Sequence, residues 1–120
     1  MSRWSEEVLT SLELPKRFED KIRHDMDYLL SLGLGQMKQI ILFGSCARRE
    51  MRVTSDVDLL VIVDEQIGRA QRGEICSELE EPMDQVHTDV IFYTQEQYEA
   101  STRIFTKQVK QDGIILYERS

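Results

Sequence analysis

The sequence has few of the features that mark secreted or membrane proteins. Its two cysteines, Cys46 and Cys76, provide neither a disulfide framework nor the spacing of a metal site. No apolar run approaches the roughly 18 residues that a membrane-spanning helix needs. The first ten residues are mixed and acidic and lack the apolar stretch of a secretory signal. We therefore expect a cytoplasmic protein that does not enter the membrane.

Positive charge is also scarce. The chain has 15 Lys and Arg residues against 22 Asp and Glu residues, a formal net charge of −7. Proteins that bind polynucleotides on their own usually present a basic surface, and here the basic residues cluster only at Arg48, Arg49 and Arg52. Direct polynucleotide binding is therefore disfavoured. A small anionic ligand with its own metal ions, or a basic protein partner, is compatible with this charge.

The length and the apolar pattern indicate one globular domain, to which we assign residues 1–120. Apolar residues at helical spacing from Phe18 to Leu30 predict a first long helix, with Pro15 in its first turn. Further helices are predicted at 67–79 and from Thr94 to about Lys110, and strands at 38–43, 57–63, 86–93 and 114–117. This order predicts an α/β (α+β) fold with a small mixed β-sheet of about four strands flanked by helices.

Two carboxylates open the second predicted strand. Asp56 and Asp58 are two residues apart, so on a strand they point to the same face. Like charges held this close repel each other, and a hard divalent cation such as Mg²⁺ compensates for that repulsion. Taken alone, the pair is equally compatible with a solvated turn that leads into the strand.

A Gly-Ser pair follows the first predicted strand. Gly44 allows a sharp backbone turn and the close approach of a ligand, and Ser45 adds a hydroxyl donor, an arrangement suited to phosphate oxygens. Alone, Gly-Ser is most often simply a turn. The sequence has no P-loop lysine and no GxGxxG, so these two nucleotide-binding motifs are absent.

The two segments together resemble a known family. Ten residues separate Gly44-Ser45 from Asp56-x-Asp58, which is the spacing of the nucleotidyltransferase superfamily that includes DNA polymerase beta. GSCARR and SDVDLLV are similar to the GSxARG and SDxDLxV of minimal nucleotidyltransferase (MNT) domains, and QVKQDGIILYE matches how such domains end. The resemblance covers most of the chain and implies the nucleotidyltransferase fold.

The resemblance also implies a third carboxylate on a later strand, and Asp89 in HTDVIFYT is the fitting residue. In this interpretation Asp56, Asp58 and Asp89 hold one or two Mg²⁺, and Asp89 draws the proton from the acceptor hydroxyl. The implied reaction is in-line displacement at the α-phosphorus of ATP or another nucleoside triphosphate. Without the resemblance, Asp89 is better explained as a charge at a strand edge.

The same resemblance assigns the phosphates to Gly44 and Ser45, and Arg48 to nucleotide binding, because Arg48 matches the arginine of the family pattern. Arg48 is equally compatible with a solvated cation on a helix. The next residue departs from the pattern, since Arg49 stands where the family has glycine. An arginine there could either clash with the phosphate turn or add a cation to it.

Three functions are compatible with these features. MNT domains are often antitoxins beside a HEPN ribonuclease toxin, so the first function is an antitoxin that transfers NMP, with AMP preferred, to a tyrosine of a HEPN partner. The second is an antitoxin that acts by binding alone, an alternative based on Arg49. The third is a nucleotidyltransferase for a small molecule such as an antibiotic, which ranks last because such enzymes usually have an additional C-terminal domain. Homo-oligomerisation stays open.

Overall fold

The described part of the protein, residues 3–119 of a computed structural model, contains one four-stranded mixed sheet. Its order is β3-β2-β1-β4, in which β2 and β3 are parallel and the other neighbours are antiparallel. The strands are β1 (Met37–Phe43), β2 (Val57–Val63), β3 (Thr88–Thr94) and β4 (Ile114–Glu118). The predicted strands are confirmed with small shifts, the largest at β3, where Val86 forms an isolated bridge with Met83 instead.

Side chains of the two central strands alternate between two apolar clusters. Ile40 and Leu42 of β1 pack in one cluster with residues of the first long helix, whereas Ile41 packs in the other. On β2, Leu59 and Val61 belong to the first cluster, and Leu60 and Ile62 to the second. Because successive strand residues point to opposite faces, the sheet is covered on both faces, as expected for continuous apolar strands.

Six helices flank the sheet in the described residues: α1 (Glu6–Ser11), α2 (Lys16–Ser31), α3 (Gly44–Arg48), α4 (Arg69–Glu80), α5 (Gln95–Ala100) and α6 (Ile104–Asp112). The first long helix is confirmed as α2, although Pro15 is its N-cap and lies just before its first turn. The chain before it forms the separate helix α1. None of the helices in residues 3–119 is long and apolar enough to cross a membrane.

The prediction of one helix from Thr94 to about Lys110 is wrong. Thr94 does begin a helix with the expected capping box to Gln97, but the chain leaves helical geometry at Ser101, whose ψ is 133°. The Ser101 hydroxyl accepts a hydrogen bond from the backbone of Arg103 and also bonds to Thr106. Serine and threonine side chains compete in this way with helical hydrogen bonds, so α5 and α6 are separate.

The end of α6 is confirmed at Gly113, and close packing explains why the residue is glycine. A Cβ atom at this position would lie 2.4 Å from the Val109 carbonyl oxygen and 2.8 Å from Ile41. The missing side chain therefore allows α6 to turn directly into β4, next to β1 at the middle of the sheet.

Candidate functional site

The turn after β1 depends on a glycine with a left-handed backbone. Gly44 has φ of +75°, a conformation that costs little only for glycine, and it starts the short helix α3. The helix is anchored by Cys46, which is fully buried and whose thiol donates to the backbone oxygen of Asp56 over 3.8 Å. This contact therefore holds the Gly-Ser turn next to the residue that precedes β2.

Three adjacent strands place Gly44, Asp58 and Asp89 side by side. Phe43, the last residue of β1, pairs with Asp58, and Asp58 pairs with Asp89 across the parallel β2–β3 ladder. A Cβ atom on Gly44 would lie 2.3 Å from Oδ2 of Asp58. The carboxylate therefore occupies the space that a side chain at position 44 would need. Position 44 thus requires glycine for this close contact as well as for its backbone angle.

The environment of Asp58 disfavours its charged form. Burial, followed by the charges of Asp89 and Asp56, raises the pKa of Asp58 from 3.8 to about 6, and the positive charge of Arg48 opposes this shift. The same burial and the carboxylates of Asp58 and Asp56 raise the pKa of the Cys46 thiol to about 12. Cys46 is thus an unreactive packing residue, and a nearby cation would stabilise the charged form of Asp58.

The three predicted acidic residues differ in exposure. Asp56 and Asp58 are half-buried and Asp89 is exposed. Within residues 3–119, no group of three or more His, Cys, Asp or Glu side chains is arranged to hold a metal ion by itself. The donor set still suits Mg²⁺, which takes one or two carboxylates together with water and substrate phosphates rather than an all-protein cage. Such a cation would also offset the repulsion of Asp58 by Asp89 and Asp56.

Ser45 and Arg48 both belong to α3, the short helix that starts at Gly44. Ser45 is half-buried, and in the described part of the chain its hydroxyl makes no hydrogen bond, while its carbonyl accepts from Glu50 over 2.8 Å. The guanidinium of Arg48 donates to the Glu50 carboxylate over 3.2 Å and borders a depression of about 160 Å³ that also includes Gly44. The Ser45 hydroxyl is therefore available to an anion at the turn, whereas Arg48 would exchange its exposed ion pair with Glu50 for one with the anion.

Arg49 has a backbone conformation that favours the glycine of the family pattern over any other residue. Arg49 follows α3 in the left-handed region, with φ of 57° and ψ of 38°, where glycine is the least strained residue. Its side chain is exposed and borders a different depression, beside Leu14 and Met51. The Arg49 side chain is not among those that border the Gly44 depression, and the two alternatives for it, a clash with the phosphate turn or an added cation, stay predictions.

A buried ionic network beneath the site was missed in the sequence. Lys21 and Asp25 are fully buried on α2, and the ammonium donates to the carboxylate over 2.6 Å and to a carbonyl of α4 over 2.9 Å. The buried hydroxyl of Thr88 donates to the second oxygen of Asp25. Because Thr88 directly precedes Asp89, the network fixes the start of β3 against α2. A lysine and an aspartate four residues apart on the apolar face of α2 were the available signal.

Comparison with known proteins agrees with this fold. The family model described as "Polymerase beta, Nucleotidyltransferase" matches residues 34–120, so the chain belongs to the polymerase beta nucleotidyltransferase family. No curated protein sequence matches it.

Similar solved structures include chains of toxin-antitoxin complexes. A chain of a toxin-antitoxin structure with AMP-PNP superposes with a TM-score of 0.61 at 21% identity, over 81% of this chain and 73% of that one. A structure of the MntA-HepT toxin-antitoxin gives 0.53 at 20% identity, over 80% and 69%. A structure of the tri-AMPylated Shewanella oneidensis HEPN toxin with its MNT antitoxin gives 0.53 at 18% identity, over 81% and 72%. At these identities the likeness defines the fold.

Proposed function

We propose that this protein is a metal-dependent nucleotidyltransferase that transfers AMP from ATP to a hydroxyl group of a protein partner, and that the partner is a HEPN-type toxin whose tyrosine is the acceptor. The observation that carries the proposal is Asp58, a half-buried carboxylate with a raised pKa between the glycine turn and Asp89. Perturbed carboxylates beside a phosphate-sized turn are typical of phosphoryl-transfer sites.

The proposed roles follow from position. The hydroxyl of Ser45 and the backbone at Gly44 bind the β- and γ-phosphates, because both belong to the first turn of α3, next to the carboxylate of Asp58. Arg48 supplies positive charge to the same phosphates, from a position where its charge already acts on Asp58. These contacts orient the triphosphate and stabilise the pyrophosphate leaving group.

Asp56 and Asp58 would hold Mg²⁺, and the bound ion would neutralise the triphosphate and polarise its α-phosphoryl group. Asp89 is the most exposed of the three carboxylates, so it is the one that an incoming hydroxyl can reach. We assign to Asp89 the acceptance of the hydroxyl proton as the oxygen attacks the α-phosphorus. The products are the AMP ester of the acceptor and pyrophosphate.

A protein acceptor is consistent with the openness of the site. Asp89 and Arg48 are exposed, so an acceptor group on the surface of a partner protein can approach both. The solved complex of an AMPylated HEPN toxin with an MNT antitoxin supplies a precedent on the same fold. The net charge of −7 is compatible with a partner that carries a basic RNA-binding surface.

The test is transfer of label from α-³²P ATP to a co-purified HEPN toxin in the presence of Mg²⁺. We expect labelling by the wild type and none by Asp58→Asn, which keeps the side-chain volume but removes the charge. Asp64→Asn is the matched control, because Asp64 is exposed and follows the opposite end of β2. It should label the toxin as the wild type does.

Two outcomes would reject the proposal, each in favour of one of the other two functions. If the wild type neutralises the toxin without labelling it, and Asp58→Asn neutralises equally well, the transferase proposal is wrong and the protein acts by binding alone. If instead an antibiotic is modified in the same assay while the toxin is not, the small-molecule alternative replaces the proposal.

A further inference from the structure

A second cavity lies at the end of the sheet opposite the carboxylates. It has a volume of about 380 Å³, within the range of sites that bind small molecules. Its lining includes Val63, the last residue of β2, and Phe92 and Thr94 of β3. Val63 is five residues along the strand from Asp58, roughly 16 Å away, so the cavity is separate from the proposed transfer site.

The cavity combines an apolar wall with two cations. Val63 and Ile67 are buried and Phe92 is half-buried, and together they provide an apolar surface. Arg72 of α4 and Arg103, the N-cap of α6, also line it. Among residues 3–119, neither guanidinium donates a hydrogen bond or forms an ion pair, although the chain carries an excess of carboxylates.

Polar groups complete the lining. The hydroxyl of Thr94 accepts from the backbone of Gln97 in the capping box, which leaves its O–H to donate. A guanidinium binds a phosphate through paired N–H donors more strongly than it binds a neutral acceptor. Two guanidiniums without protein partners therefore favour a dianionic group, and the apolar wall favours a ligand with a planar or apolar body.

We propose that this cavity binds a small organic phosphate, with the phosphate held by Arg72 and Arg103 and the organic body against Val63, Ile67 and Phe92. The inference does not depend on the transferase activity, since none of these residues belongs to the carboxylate site. Occupation of the cavity would bridge α4 and the start of α6, the two elements that carry the arginines.

The test titrates AMP into the ¹⁵N-labelled protein and monitors binding by the amide NMR shifts. The buffer contains EDTA, so that metal-dependent binding at the carboxylates does not contribute. We expect saturable shifts at Ile67, Thr94 and Ser101 and none at Gly44 and Asp58. Arg72→Ala/Arg103→Ala should weaken this binding by about tenfold or more, because two charge-assisted contacts are lost.

The matched control is Arg69→Ala/Lys107→Ala, which changes the net charge by the same amount at exposed positions of α4 and α6 that do not line the cavity. It should bind AMP within about twofold of the wild type, as expected for screened surface charges. The proposal is overturned if the control loses affinity equally, or if millimolar AMP shifts no amide at the cavity. If inorganic phosphate binds as tightly as AMP, the apolar wall does not bind the organic body of the ligand, and that part of the proposal is overturned.

Discussion

The carboxylate site is expected to reduce the stability of the fold, and replacing Asp58 by asparagine should reveal by how much. The pKa of Asp58 is raised in the folded protein from 3.8 to about 6, first by burial and then by Asp89 and Asp56. At pH values between these two pKa values, the folded state therefore binds more protons than the unfolded state. Stability contributed by this group is fully present below about pH 3.8 and is lost as the pH rises through about 6.

The magnitude follows from the shift. A rise of about two pKa units corresponds to about 3 kcal/mol, and solvent screening of a half-exposed group reduces this to about 1–2 kcal/mol. Asp58→Asn removes the charge and keeps the size of the side chain next to Gly44. The variant should therefore be about 1–2 kcal/mol more stable than the wild type at about pH 8, and the gain should shrink toward zero at about pH 4.

Urea unfolding of both proteins, followed by far-ultraviolet circular dichroism in EDTA at intervals between about pH 4 and pH 8, measures this difference. Asp64→Asn is the control and should show no pH-dependent gain of this size, because Asp64 is exposed. A variant that is less stable than the wild type at about pH 8, or a gain that does not change with pH, would refute the electrostatic argument.

Three further predictions concern the backbone and the buried network. Lys21→Met should lower the free energy of unfolding by about 3–5 kcal/mol, because it leaves the Asp25 carboxylate buried without its cation. In urea unfolding, Lys21→Met/Asp25→Leu should recover most of that loss. A double variant no more stable than the single one would contradict this. Arg49→Gly should raise the stability by about 0.5–1 kcal/mol by relieving the left-handed conformation, which thermal unfolding measures, and a lower melting temperature would count against it. Gly44→Ala should weaken binding of ATP with Mg²⁺ by about tenfold or more in calorimetric titration, because the new methyl group displaces the neighbouring carboxylate, whereas Gly35→Ala, where a Cβ meets nothing within 4 Å, should bind normally.

Local features of the sequence determined much of the fold. The apolar runs defined all four strands, and the helical spacing of apolar residues defined α2, because burial on a strand or a helix imposes these periods on nearby residues. The capping box at Thr94 was equally predictable, since its two hydrogen bonds join residues three apart. The proximity of Asp56 and Asp58 is likewise local, although Asp56 lies just before β2 and only Asp58 is on the strand itself.

The tertiary structure decided the features that depend on distant residues. Asp89 lies beside Asp58 because β3 joins β2 in parallel and in this register, and no local pattern fixes a pairing between segments thirty residues apart; only the family resemblance indicated it. The raised pKa of Asp58 and the contact of its carboxylate with Gly44 arise from the same assembly of three strands. The spacing of Lys21 and Asp25 places both on the apolar face of α2, but only the packing of α2 against α4 and β3 supplies the partners that bury them. The left-handed backbone at Arg49 depends on the chain reversal after α3, which the residue type does not indicate.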